Sequence, residues 1–208
     1  MYLTGSVGAD TASVLDAGII GYLRTPLNYQ KLQSGWVWAA DNGIFGKGWR
    51  GEPRWMRWLE SHTEEERSRC LFATAPDVVG DWKETLERSR PLLPVLRGLG
   101  YQAALIAQDG LTAGSTPWDE FDVLFIGGST AWKLGADART LILSAKKREK
   151  RVHIGRVNSQ VRYLAFASLG CDTADGTYLA FGPRVNLPNL LGWVRHHKTQ
   201  LTMFPADS

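Results

Sequence analysis

Three apolar runs in the chain close on an aspartate: Trp36 to Asp41, Leu71 to Asp77, and the shorter Gly170-Cys171-Asp172-Thr173-Ala174-Asp175-Gly176. A carboxylate at the mouth of a buried strand adds nothing to packing, and burying it costs several kcal/mol unless it is paired or hydrogen-bonded. Acids placed at the same end of successive strands can converge on one pocket. There, one carboxylate can attack an electrophilic carbon while another carries protons. Other strand ends carry Gln108-Asp109-Gly110, Gly127-Gly128-Ser129 and Arg156-Val157-Asn158-Ser159, groups that suit the edges of a flat polar heterocycle. The set points to an enzyme.

These residues need a scaffold that gathers many strand ends. Strand-like runs fall at Tyr2–Ser6, Ile19–Arg24, Val37–Ala40, Leu71–Thr74, Ala103–Ala107, Val123–Ile126, Val152–Gly155 and Gly170–Thr173, eight in all. Helical patterns lie between most of them, at Ala9–Ala17, Pro53–His62, Gly80–Gly98, Ala136–Lys150 and Gln160–Leu169, with Leu187–His197 closing the chain. Pro91 and Pro94 must kink or split the Gly80–Gly98 stretch. The alternation argues for parallel βα units. Polar groups recur at the C-terminal ends of many strands, whereas an open doubly wound sheet gathers its site at one switch point. No Gly-x-Gly-x-x-Gly fingerprint directly follows a strand-like run, and no Gly-Lys-Ser/Thr phosphate loop is present. The expected fold is α/β, a compact (β/α)8 TIM-like barrel with residues 1–208 as one domain. An open doubly wound sheet is the runner-up.

An apolar share of 44% in 208 residues supports an ordinary core. A net charge of +3, from 24 basic and 21 acidic residues, permits a nucleic-acid partner without requiring one. Lys146 to Arg151 is a basic run, read first as a solvated helix end and second as a phosphate-contacting patch. Cys70 and Cys171 have no metal-ligand spacing and read as reduced thiols, so no metal and no other cofactor is expected. No leader peptide or membrane-length apolar stretch is evident, which makes a cytoplasmic protein with no membrane partner the expectation. An oligomer is compatible with all of this. Trp36, Trp38, Trp49, Trp55 and Trp58 crowd around the first acidic strand end, either as packing or as a surface for stacking bases.

Every strand end also has a bland reading. Asp41-Asn42-Gly43 is a turn sequence, Asp77 could cap the next helix, and Gly127-Gly128 could be a tight turn. Arg156 could pair with a barrel acid, and His153, within a strand, reads as a satisfied core histidine. Two acids three apart and followed by glycine, Asp172 and Asp175, exceed what a turn needs.

On these residues the chain resembles the tRNA-guanine transglycosylase superfamily, including its phage and bacterial branch that places 7-deazaguanines in DNA. The family's Thr-Asp-Ser-Gly-Gly-Phe segment is echoed by Ala40-Asp41-Asn42-Gly43-Ile44-Phe45, and its next acidic strand end by Phe72 to Asp77. Its Gln-Gly-Gly strand end is similar to Gln108-Asp109-Gly110, and its Ile-Gly-Gly reappears as Ile126-Gly127-Gly128. Its Gly-x-Asp-x-x-Asp matches Gly170 to Asp175. The resemblance implies an α/β barrel that exchanges guanine for a deazaguanine base, with Asp175 as nucleophile, Asp172 as its support and Asp41 as the proton carrier. It implies Asp77, Gln108, Gly127 and Gly128 as readers of the base. The zinc site of the tRNA enzymes, Cys-x-Cys-x-x-Cys with a histidine, has no counterpart, and Thr177-Tyr178-Leu179-Ala180-Phe181 stands where they carry Pro-Thr-Arg. These departures favour a trimmed DNA-modifying or free-nucleoside enzyme over a tRNA enzyme, with DNA the favoured partner over RNA, in the host cytoplasm if the chain is phage-encoded.

The residues themselves allow that chemistry. Displacing a purine from C1′ passes through an oxocarbenium-like state that a carboxylate can capture, while Arg156 and Asn158 could hold phosphate or sugar. Trp49, Trp55 or neighbouring aromatics could fill the gap left by a base drawn from the duplex. Three rivals stand beside this reading: a nucleoside or DNA glycoside hydrolase of the same fold, a non-catalytic nucleobase- or nucleic-acid-binding barrel, and a metal-dependent hydrolase using Asp41, Asp77 and His153.

Overall fold

A computed structural model describes residues 1–28, 30–46 and 48–203, with side chains through Arg195. Eight parallel strands close into a barrel in chain order: β1 (Tyr2–Thr4), β2 (Gly21–Arg24), β3 (Trp38–Ala40), β4 (Cys70–Thr74), β5 (Ala103–Ala107), β6 (Val123–Ile126), β7 (Arg151–Ile154) and β8 (Thr173–Gly176). The ring closes because β1 pairs with β2 on one side and β8 on the other. Around it lie α1 (Ala9–Asp16), α2 (Glu52–Glu60), α3 (Glu64–Ser68), α4 (Trp82–Ser89), α5 (Leu93–Gly98), α6 (Thr130–Lys133), α7 (Ala136–Lys146), α8 (Gln160–Ser168) and α9 (Pro183–Met203). The expected α/β barrel is the observed one.

Local chemistry accounts for the element ends. The proline-bearing stretch splits as expected, α4 ending at Ser89 and α5 taking Pro94 into its first turn, where a missing N–H costs nothing. The short α3, absent from the periodicity, is held by a reciprocal cap: Thr63 Oγ1 accepts from Glu66 N at 3.2 Å and Glu66 Oε2 from Thr63 N at 2.9 Å.

The core has two layers. The outer one, between strands and helices, takes most of the tryptophan cluster. Trp36, Trp38 and Trp55 are buried. Trp36 Nε1 donates to Asp16 and Trp38 Nε1 to the Glu66 carbonyl, each at 2.7 Å, and Trp55 stacks on Trp58 with ring centroids 5.1 Å apart. These rings are packing, so Trp55 is not available to stack on a base. Trp49 is half-buried, with the Arg88 guanidinium over its ring.

The inner layer is smaller: Leu3, Leu23, Ala39, Phe72, Ala104, Ile106, Val123 and Phe125. His153 fits between Phe72 and Phe125, with ring centroids 4.9 and 4.4 Å away. Side chains two apart on a strand share a face. With Ala39, Ile106, Phe125, His153 and Thr173 inward, the next inward level toward the C-terminal mouth is Asp41, Gln108, Gly127, Gly155 and Asp175. The barrel's pleat therefore stacks the polar level on the apolar one.

The last strand corrects an expectation. It runs over Thr173–Gly176 rather than Gly170–Thr173, with Gly170 at φ +86° ending the turn after α8. Asp175 pairs in register with Leu3 inside the sheet. Asp172 precedes the strand, at the barrel's N-terminal end, where its Oδ2 accepts from Lys146 Nζ at 2.8 Å and Val152 N at 2.7 Å. It is not the support of Asp175. The basic run from Lys146 starts at the same end, and three of its five cations serve the structure: besides the Lys146 pair, Lys150 Nζ donates to the Phe121 carbonyl at 2.7 Å and Arg148 lies over the Trp118 ring. Cys70 and Cys171 are free thiols. Among the described residues no helix is long and apolar enough to cross a membrane.

Candidate functional site

A cavity of about 350 Å³ opens at the C-terminal mouth of the barrel, where a barrel of this kind can combine groups from many strands. Asp41, Asp77 and Asp175 reach it from β3, β4 and β8, with Gln108 from β5, and Ile106 and Phe125 line it from the level beneath. The three carboxylates expected to converge do so.

Asp175 sits on a buried relay. Its Oδ1 accepts from His153 Nε2 at 2.9 Å and from the Arg156 backbone N–H at 3.3 Å. The far nitrogen of that ring, Nδ1, lies 2.8 Å from Thr173 Oγ1. Burial pushes the His153 pKa down, against the pull of Asp175. A neutral ring satisfies both contacts when Nε2 carries the proton and Nδ1 accepts the Thr173 hydroxyl. These contacts occupy Oδ1 and leave Oδ2 without a donor among the described residues. His153 is thus a core histidine, as its place in a strand suggests, but it also orients the candidate nucleophile.

Asp41 and Asp77 differ from it and from each other. Among the described residues Asp41 Oδ1 accepts only the Gly43 N–H, at 3.1 Å, in the turn that its sequence implied. Desolvation, with Asp175 and Asp77 adding repulsion, pushes its pKa up to about 7. Asp77 is buried and bonded on both oxygens, to Asn42 Nδ2 at 3.2 Å and Gln108 Nε2 at 2.5 Å. Its pKa is also raised, by burial, with those two donors opposing. The helix cap offered as its bland role belongs instead to Asp81, which accepts from Lys83 N and Glu84 N.

Gln108 is largely committed inside the protein. Besides bonding Asp77, its Oε1 accepts from Gly80 N at 3.0 Å and Gly128 N at 3.1 Å. The neighbouring amide of Gly127 donates to the Ala107 carbonyl at 3.0 Å. Both glycine amides expected to read a base are therefore engaged. The glycines serve by being small: a Cβ on Gly127 would stand 2.7 Å from Ile106, and one on Gly128, at φ +51°, would strike Trp132. Gly155 does the same on β7, where a Cβ would stand 2.8 Å from Phe125 and 3.4 Å from Asp175 Oδ1.

Arg156 lines the cavity at φ +59°, a left-handed conformation that costs a non-glycine residue roughly 1–3 kcal/mol. Its guanidinium donates to the Gly128 carbonyl and lies 4.0 Å from the ring centre of Phe45, which is 62% exposed. No barrel acid is its side-chain partner. Asn158 is outside the cavity lining and ties β7 to β8, its Oδ1 accepting from Thr177 N at 2.8 Å. The structure thus gathers Asp41, Asp77, Gln108, Gly127, Gly128, Arg156 and Asp175, and sets Asn158 and Asp172 elsewhere.

Sequence reasoning gave no role to Gly155 or Asn42. Buried Asn42 braces the site by donating to Asp77 and the Ala75 carbonyl while accepting from Ile44 N. Its place beside Asp41 was the available signal. Among the described residues, no group of three or more His, Cys, Asp or Glu side chains is arranged to hold a metal ion. No family model and no curated protein matches the chain.

Proposed function

We propose that the protein is a base-exchange transglycosylase that replaces guanine in nucleic acid, DNA in preference, with a 7-deazaguanine through a covalent aspartate–sugar intermediate. The observation that carries this reading is the division of one cavity's carboxylates into three environments. Asp175 is oriented on one oxygen and open on the other, Asp41 is balanced between acid and base near neutrality, and Asp77 is fixed deep in the pocket. The motifs shared in order with the guanine transglycosylases supply the reaction class.

In the proposed cycle, Asp175 Oδ2 attacks C1′ as the bond from C1′ to the purine nitrogen breaks and its electron pair leaves with the base. The proton of Asp41 neutralises the departing guanine, leaving a glycosyl ester on Asp175 and a carboxylate at Asp41. The incoming deazaguanine gives its ring N–H proton to Asp41. Its nitrogen then attacks C1′, and the ester bond returns its electrons to Asp175. In duplex DNA the target nucleotide leaves the stack first. Phe45 and Arg156 lie at the cavity mouth, where a displaced base would pass.

Trapping tests the reading. Incubation with guanine-containing DNA and a deazaguanine base should yield a denaturation-resistant protein–DNA adduct and incorporation of labelled base, and Asp175→Ala should abolish both. An unchanged adduct in that variant overturns the nucleophile assignment. Abasic DNA without incorporation identifies a hydrolase instead, and ligand binding with no adduct or turnover identifies a binding barrel.

A further inference from the structure

Beside the main cavity, on the helix side of the β6 and β7 ends, a second small cavity is lined by Thr130, Lys133, Leu134, Arg156, Arg162 and Phe166. Its lining holds three cations and no carboxylate. Lys133 is only 5% exposed, yet its Nζ has one protein acceptor, the Gly155 carbonyl at 2.5 Å, and no ion-paired carboxylate among the described residues. Burial and the nearby Arg156 push the Lys133 ammonium down to about 8; Arg162 adds to the depression, while Asp175 and Asp109 oppose it. Arg162 is half-buried in the first turn of α8, and its guanidinium has no hydrogen-bond or ion-pair partner among the described residues. Desolvated cations packed against further cations are costly unless an anion compensates them.

We propose that Lys133, Arg162 and Arg156 form an oxyanion subsite for a phosphodiester group of a polynucleotide strand, next to the reacting nucleotide. The inference rests on the transglycosylase reading of the main cavity and names its substrate class: a strand, not a free nucleoside. Arg156 lines both cavities, so the two ligand groups would be neighbours on one chain. A guanidinium fork suits phosphate oxygens, and the ammonium supplies a compact charge behind them. Thr130 adds a hydroxyl to the lining. The subsite also gives an anionic partner to a buried lysine whose one acceptor among the described residues is a backbone carbonyl.

The test is binding of a short fluorescent guanine-containing oligonucleotide, as DNA and as RNA, across a salt series, with base exchange measured on the same strands and on free guanosine and deoxyguanosine. Arg162→Gln breaks no native bond. It should weaken strand binding roughly tenfold at low salt and make the log–log salt slope shallower by about 0.7. Lys133→Gln, checked for folding by its thermal melt, should do the same, whereas Lys147→Gln in the exposed basic run should leave both unchanged. Variants with wild-type affinity and slope overturn the subsite, as does wild-type exchange equally fast on free nucleoside and on strand. The transglycosylase reading survives either result. Slopes that flatten as expected while no protein exchanges base sustain the subsite and overturn that reading instead. Dependence on Arg162 with RNA but not DNA keeps the phosphodiester chemistry and changes the strand.

Discussion

What each carboxylate in the cavity can do is decided by the donors that reach it. Asp77, bonded on both oxygens, is held in place, whereas among the described residues Asp175 has donors on one oxygen and Asp41 accepts a single backbone N–H. Asp41 also carries a pH signature. Its pKa is about 7 in the folded chain and in the ordinary carboxylate range once unfolded, so between those values the native state holds the extra proton. Its contribution to stability is therefore full at the acid end of that window and is lost as pH rises toward 7. Asp41→Asn removes the titration and retains the acceptor for Gly43. Its melting temperature should rise relative to wild type more at about pH 8 than at about pH 5, while base exchange falls by about 10²–10⁴-fold. An equal melting difference at both pH values would count against a proton held there.

Strand frame explains how much of the site was legible. Asp41, Asp77 and Gln108 could be found because each closes an apolar run, and the convergence of their strand ends followed from the repeated βα pattern. Asp172 and Asp175 could not be assigned in that way, because an acid within a strand and an acid before it look alike until pairing fixes the frame. One turn's difference in where β8 begins sends Asp175 into the mouth and Asp172 to the opposite end. His153 had to wait for the same information, since its contact with Asp175 crosses from β7 to β8. Gly155 carried no motif, yet its missing side chain is part of the cavity. Gly155→Ala should lower stability by about 1–3 kcal/mol through crowding against Phe125. By shifting the Phe125 ring that lines the cavity, it should also lower exchange more than tenfold while the variant still folds. Thermal melts and kcat/KM measure the two effects, and wild-type turnover would show that the cavity tolerates the shift.

Across the whole barrel, chemistry and closure occupy opposite ends. The N-terminal end is fastened by Asp172, which takes hydrogen bonds from Lys146 and Val152 and whose carbonyl receives one from the Met1 amino group at 2.7 Å. Asp172→Ala should cost about 1–3 kcal/mol by orphaning the Lys146 ammonium and the Val152 N–H and leave exchange within about twofold, because neither lines the cavity. A denaturant titration beside a rate assay separates the two; loss of exchange without loss of stability would return Asp172 to the site. The barrel itself was legible because eight strand-like runs with intervening helices leave few ways to bury every strand. Its short α3 and α6 were not, as each depends on a local cap more than on periodicity: Thr63 for α3, and Ser129 Oγ accepting from Trp132 N for α6.

The two N–H groups on Asp175 Oδ1 have a consequence for the second half of the proposed exchange. Once Oδ2 is esterified, Oδ1 is the acyl oxygen, and His153 and the Arg156 amide still face it. Donors in that position draw density from the acyl group and ease departure of the carboxylate from C1′. In the proposed exchange the aspartate would then be as good a leaving group as it was a nucleophile, and its bond to the sugar a shallow well rather than a sink. Which base ends up on the sugar would follow from the supply and affinity of the two competing bases, with the protein acting as a broker between them.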